Sequence, residues 1–233
     1  MSEFRIEDQC GLSACDIRKA IGLDENEDIC SILVLSDVSD AALARSLAVP
    51  HRGIIEKSRE NFKIHGNYFR RHLRAGGLGL SLTTASAYTT AVADLFVRAL
   101  WTHCGHSGDI PAAVPLAVHE AVSNALVHGN LEVPCLTEDP EAFERHCTLL
   151  DEALADPGRT GRRIELSGTR MGRTVEIALV DQGPGYRPAE IPAASGRRPH
   201  GLGLISACTE HLRQEDDGRC LVLTVLLDGN PPS

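Results

Sequence analysis

Residues 120 to 130 read Glu120-Ala121-Val122-Ser123-Asn124-Ala125-Leu126-Val127-His128-Gly129-Asn130. Glu120, Asn124 and His128 are four apart, so a helix here projects a carboxylate, an amide and an imidazole from one face. Burying three such groups without partners is costly. Taken alone, the pattern also fits a solvated helix face, and Gly129 fits the position just past a helix end. Two stretches further along narrow the reading. Asp181-Gln182-Gly183-Pro184-Gly185 ends an apolar strand with a carboxylate and two glycines at alternate positions, which lets a ligand approach the backbone closely. A carboxylate there can accept a hydrogen bond from an exocyclic amine such as that of adenine. His200-Gly201-Leu202-Gly203-Leu204 then opens a helix whose first N–H groups are unobstructed, a favourable place for phosphate. Each glycine-rich stretch, taken singly, also fits an ordinary turn. Between them, Tyr186 to Pro199 is a long loop carrying Arg187, Arg197 and Arg198. Such a loop suits closure over a ligand and contact with phosphate oxygens, although at least one of these arginines is expected to face solvent.

Around these motifs the pattern predicts a strand at Leu80 to Leu82 and a long helix over Ser86 to His103 with Ala87, Ala91, Leu95 and Ala99 on one stripe. A second helix is expected over Pro111 to His128. Residues 131 to 163 read as an irregular insertion holding an amphipathic helix from about Pro140 to Ala155, with Phe143, Cys147, Leu150 and Leu154 at helical spacing. Two alternating strands, Ile164 to Arg170 and Thr174 to Asp181, join through a tight turn near Met171-Gly172. A helix runs from near Gly203 to Thr209. The last two strands, His211 to Glu215 and Arg219 to Leu227, meet at Asp217-Gly218. Helices followed by paired strands imply an α+β sandwich with a mixed or antiparallel sheet. Upstream, a short helix is expected at Asp16 to Ile21, a buried strand at Cys30 to Val38, and a helix over Ser39 to Ala48 capped by Ser39 or Asp40. The stretch after Pro50, with Arg59, Lys63, Arg70, Arg71 and Arg74, reads as a linker or a solvated helix face, with a binding patch as the alternative. The domain expectation is an N-terminal α/β appendage over residues 1–75 and a larger domain over 76–233.

Composition removes several function classes. At 233 residues the chain can bury a core without disulfide or metal staples. Its formal net charge of −9 argues against general binding to a nucleic-acid backbone. No apolar run approaches the ~20 residues of a membrane helix, and the N-terminus lacks a signal-peptide pattern, so a cytoplasmic protein without direct nucleic-acid or membrane contact is expected. The eight cysteines contain no C-x-x-C pair. His103, Cys104 and His106 are the densest metal-ligand cluster, but no second pair accompanies them, so a polar helix end is the expected reading. The chain has three lysines, Lys19, Lys57 and Lys63, and none follows a glycine, which excludes a P-loop.

Taken together, the order and spacing of the three motifs resemble the ATP-binding domain of the GHKL superfamily, shared by gyrase, histidine kinases and MutL-type proteins. The resemblance covers residues 80 to 228, about two thirds of the chain. Glu120, Asn124, His128 and Gly129 match its N box; Asp181, Gly183 and Gly185 match its first glycine box; Gly201, Gly203 and Leu204 match its second. Within the superfamily, residues 120–130 resemble the anti-sigma-factor serine/threonine kinases. The resemblance implies a Bergerat-type two-layer α/β sandwich, with ATP and Mg²⁺ as cofactors. It implies Glu120 as the catalytic group that orients or deprotonates the attacking hydroxyl and Asn124 as the Mg²⁺ ligand. Asp181 is implied to recognise adenine, and Gly183, Gly185, Gly201 and Gly203 to shape the nucleotide loops. His128, Gly129, Arg197, Arg198, His200, Leu202 and Leu204 complete the expected nucleotide-binding set. A protein substrate is implied, such as a STAS-type anti-anti-sigma antagonist, together with a sigma factor or other regulator and a homodimeric state. The alternatives are an ATP- or ADP-sensing module without transfer, and a histidine-kinase catalytic domain acting on a separate chain. The insertion at 131–163 and the first 75 residues depart from the minimal kinase pattern.

Overall fold

The computed structural model describes residues 6–8, 13–22, 31–48, 51–58, 63–106, 109–135, 142–185 and 200–227. In chain order they form β1 (Ile6–Asp8), α1 (Ala14–Ile21), β2 (Ile32–Leu35), α2 (Asp40–Leu47), β3 (Gly53–Glu56) and α3 (Asn67–Arg74). Then come β4 (Leu78–Thr83), α4 (Thr84–Tyr88), α5 (Val92–His103), α6 (Ala113–Asn124) and a π-helical turn over Ala125–Asn130. The remainder is α7 (Ala142–Ala155), α8 (Pro157–Thr160), β5 (Arg163–Met171), β6 (Thr174–Val180), α9 (His200–Ala207), β7 (His211–Glu215) and β8 (Cys220–Leu226). The strands make one mixed sheet in the order β1-β2-β3-β4-β5-β6-β8-β7. The first four run parallel, and from β4 onward every neighbour is antiparallel. The fold is therefore α+β, with helices packed on a mixed sheet.

Alternation along the strands sorts the two faces. Leu80, Leu82, Ile164, Leu166, Val175, Ile177, Leu179, Leu221 and Leu223 bury into one core with α5 and α6. The reverse face of β5 is buried but polar: Arg163, Glu165, Ser167 and Thr169 are all nearly inaccessible. Polar groups can be buried there because each finds a partner. The Glu165 carboxylate accepts from the His65 and Gly66 amides at 2.6 and 2.8 Å. Ser167 Oγ bonds His72 Nδ1, and Glu176 is held by Arg71, His72 and Arg213. Arg163 donates to Ser81 Oγ, to the Ser81 carbonyl and to the Glu56 carbonyl.

Most of those partners come from the first 75 residues, which corrects the expectation of an appendage. β3 pairs in parallel with β4, so the sheet runs unbroken across residue 75. Leu33, Leu35, Leu43, Leu47 and Ile54 belong to the main core. α1 and α3 cover the opposite face, where Ile17, Ile21, Phe69 and Leu73 pack on Ile32, Val34 and Ile55. With that cover, the sheet carries helices on both faces rather than one. The basic stretch expected to be a linker contains β3 and α3; its arginines flank a buried stripe of Tyr68, Phe69, His72 and Leu73.

Two further expectations are corrected. The long helix over Ser86 to His103 breaks at Thr89 to Ala91. There the Thr89 and Thr90 hydroxyls bond back to the carbonyls of Ala85 and Ser86, and the Asp40 carboxylate takes the Ala91 amide. Of the expected stripe, Ala87 and Ala99 are buried and Leu95 packs at the edge of the core, while Ala91 is exposed; α5 adds Ala93, Phe96, Val97 and Leu100 to the buried face. In α7, Phe143 and Cys147 face solvent, while Leu150 and Leu154 pack against Leu131, Val133 and Ala153. The Ser39 cap is as expected, its hydroxyl accepting from the Ala42 amide. No helix among the described residues is long and apolar enough to cross a membrane.

Replacing Phe69 tests whether the first segment is part of the fold. Its ring lies about 3 Å from where a β-carbon on Gly79 would be. Phe69→Ala is expected to destabilise the whole chain by about 3–5 kcal/mol in one cooperative transition. Denaturant unfolding followed by far-UV circular dichroism reads this. A separate appendage would instead leave the main transition in place.

Candidate functional site

α6 carries Glu120 and Asn124 on the face toward α9. A β-carbon on Gly201 would collide with Glu120 Oε1 and lie 2.6 Å from Asn124 Nδ2. The missing side chain at Gly201 therefore lets the first turn of α9 rest directly on the carboxylate and the amide. The third motif is wholly helical, since α9 begins at His200 rather than near Gly203. Glycines in a helix cost roughly 1 kcal/mol each relative to alanine, so a close approach is the physical reason for one here. Leu202 packs on the main core, and Gly203 and Leu204 are half-buried beside it.

The chain after Asn124 widens into the π-helical turn, which corrects the expectation that Gly129 caps an α-helix. Such turns recur at functional sites. Gly129 lies inside this turn, and a β-carbon on it would be 2.7 Å from Asp181 Oδ1. Gly183 packs on the Gly129 backbone in turn, its own missing β-carbon 2.5 Å from the Gly129 carbonyl carbon. Gly185 holds φ at +87°, a conformation that favours glycine. The π-helical turn and the Asp181–Gly185 loop are thus in direct contact.

Asn130, absent from the expected site set, ties this contact together. It is fully buried. Its Oδ1 accepts from the Gln182 amide at 2.7 Å, and its Nδ2 donates to Thr84 Oγ1 and to the Arg163 carbonyl. Gln182 Oε1 in turn accepts from the Arg163 amide. A lone amide directly after the motif was the one sequence signal for it.

Burial pushes the Asp181 carboxyl up from 3.8 to about 6, only partly offset by the Gly183 amide and by Arg219 and Arg162. The Gly183 amide donates to Asp181 Oδ1 at 2.8 Å. His128 bonds the Val133 carbonyl through Nδ1 and the Cys135 thiol through Nε2. Arg187, Arg197 and Arg198 lie outside the described residues, as does the side chain of His200.

A cavity of about 860 Å³ lies against the end of the sheet, lined by His65, Asn67, Tyr68, Gln182, Asp216 and Arg219 among others. Of the three motifs it touches only the Asp181–Gly185 stretch, at Asp181 and Gln182, and its lining includes none of Glu120, Asn124 and Gly201. It is thus a hollow behind Asp181, separate from the α6–α9 contact. No protein-family model matches the chain, and a search of curated proteins found no similar protein.

Asp181 gives a pH prediction. The native state holds this proton more tightly than the unfolded chain, so its contribution to stability is greatest below pH 4 and falls as pH rises through about 6. Asp181→Asn removes the charge and keeps an acceptor for Gly183. The variant should exceed the wild type in stability at pH 7.5 by on the order of 2 kcal/mol, the gap closing toward pH 4. Urea unfolding at both pH values measures it.

Proposed function

We propose that the chain is an ATP-binding serine/threonine protein kinase of the anti-sigma-factor type, built on a Bergerat-type domain. The observation that carries this reading is the convergence of motifs far apart in sequence. The Gly201 backbone lies on Glu120 and Asn124, while Gly129 and Gly183 pack around Asp181. A half-buried carboxylate at the end of a strand, bordered by glycines, suits an exocyclic amine at its edge. The first turn of α9 offers backbone N–H groups to phosphates. Hard divalent cations take oxygen ligands, and Glu120 and Asn124 supply a carboxylate and an amide side by side. Asn124 would hold Mg²⁺, which when bound neutralises phosphate charge.

The work left to this chain is positioning and proton transfer. A serine or threonine hydroxyl of a protein substrate attacks the γ-phosphorus, the bond to the bridging oxygen breaks, and ADP leaves. Glu120 accepts the hydroxyl proton. Asp181 fixes the base, and the Gly201–Leu204 turn holds the phosphates. The substrate is a small antagonist protein, the setting is cytoplasmic, and the same surface serves a sigma factor or similar regulator.

Thermal unfolding with Mg-ATP or Mg-ADP tests the pocket. At 100 times the dissociation constant, nucleotide should add about 2.7 kcal/mol of stability to the wild type and far less to Asp181→Asn. Glu120→Gln is expected to keep binding and to lower transfer by roughly 10²–10⁴-fold. Acid-stable phosphoprotein supports serine or threonine transfer; acid-labile label points to histidine. Absence of any nucleotide shift at millimolar concentration contradicts the proposal.

A further inference from the structure

Cys135 lies just past the π-helical turn, exposed to solvent, with its Sγ 3.7 Å from His128 Nε2. The other ring nitrogen settles the tautomer. His128 Nδ1 is 2.6 Å from the Val133 carbonyl oxygen, which only accepts, so Nδ1 carries a hydrogen. In the neutral ring Nε2 is then the bare nitrogen, aimed at the thiol. This is the arrangement of an activated nucleophile: a thiol, a base within reach, and a third group that orients the base. Among the described residues no third histidine, cysteine or carboxylate completes a metal set around the pair. The segment is also anchored from α7, where His146 Nδ1 bonds the Pro134 carbonyl at 3.2 Å.

We propose that Cys135 is a reactive thiol, activated by His128, and a site of oxidation by hydrogen peroxide. Its proton passes to His128 Nε2, and the thiolate sulfur attacks one peroxide oxygen. The O–O bond breaks, the departing hydroxide takes the imidazolium proton, and the products are a sulfenic acid and one water. Sulfur loses two electrons and peroxide gains them. The hydrogen bond between thiol and imidazole lowers the Cys135 thiol and raises His128, in keeping with the geometry. The thiol chemistry does not depend on the nucleotide reading, but it shares His128 with the expected nucleotide-binding set, and the π-helical turn that holds His128 also carries Gly129 and Asn130. Oxidation would act one hydrogen bond away from the packing around Asp181.

The test uses the full chain with its own internal standards, the exposed thiols Cys15 and Cys147. Native protein is treated briefly with iodoacetamide at pH 7, and each cysteine is quantified by peptide mass spectrometry. Cys135 should react roughly tenfold faster than Cys15 and Cys147. His128→Gln should bring it down to their rate, and urea should equalise all three. Under dilute peroxide with dimedone present, the sulfenic-acid adduct should appear at Cys135 first. Equal rates for the three thiols in native wild type overturn the proposal even if the histidine variant fails to fold. An unchanged Cys135 rate in a folded His128→Gln chain overturns the role of the histidine.

Discussion

The Asn130 side chain joins three elements distant in the chain: the turn after α6, the start of β5 and the loop after β6. It is buried, and both ends of its amide are used. A buried amide that loses its partners leaves carbonyl and N–H groups unpaired, at about 1–3 kcal/mol each. The position of Asp181 depends on this clamp. It brings the π-helical turn against the end of β6, and only there do Gly129 and Gly183 need to lack side chains. The raised pKa of Asp181 follows from the same packing, because burial is its main cause.

A second constraint lies under the sheet. β5 presents Arg163, Glu165, Ser167 and Thr169 to a face that is closed to water. Those groups need partners, and α3 with the loop before it provides them through His65, Gly66 and His72. The first 75 residues therefore complete the domain electrostatically as well as by apolar packing. Arg163 links the two constraints, since its carbonyl meets Asn130 and its guanidinium meets Ser81 and Glu56.

Much of the antiparallel half was readable from the sequence. The β5–β6 hairpin and the β7–β8 pair followed from alternation and turn signals, and in the parallel half the Ser39 cap followed from cap chemistry. Motif order and resemblance assign Glu120, Asn124 and Gly201 to one site, while the contact of Gly201 with Glu120 and Asn124 is seen only in the structure. What stayed hidden has physical reasons. Alternation cannot tell a polar face in water from a polar face buried against partners, so β5 gave no sign of α3. The Gly53–Glu56 strand is only four residues long, and in α3 three arginines around Phe69 mask the buried stripe of the helix. The threonines that break the helix at residue 89 act through hydroxyl bonds, not composition. One extra residue in a helical turn leaves no trace in periodicity, so the π-helical turn and the engagement of His128 with Cys135 emerged only in three dimensions.

The central claim is that one nucleotide site is shared by the turn after α6, the end of β6 and the start of α9. Hydrogen–deuterium exchange with and without Mg-ATP tests it most directly. The account predicts slowed exchange in three separate segments, 120–130, 181–185 and 200–204, appearing together at one ligand concentration. Protection confined to 65–68 and 215–220 would move the ligand to the cavity behind Asp181 and contradict the account. So would exchange unchanged throughout at millimolar nucleotide.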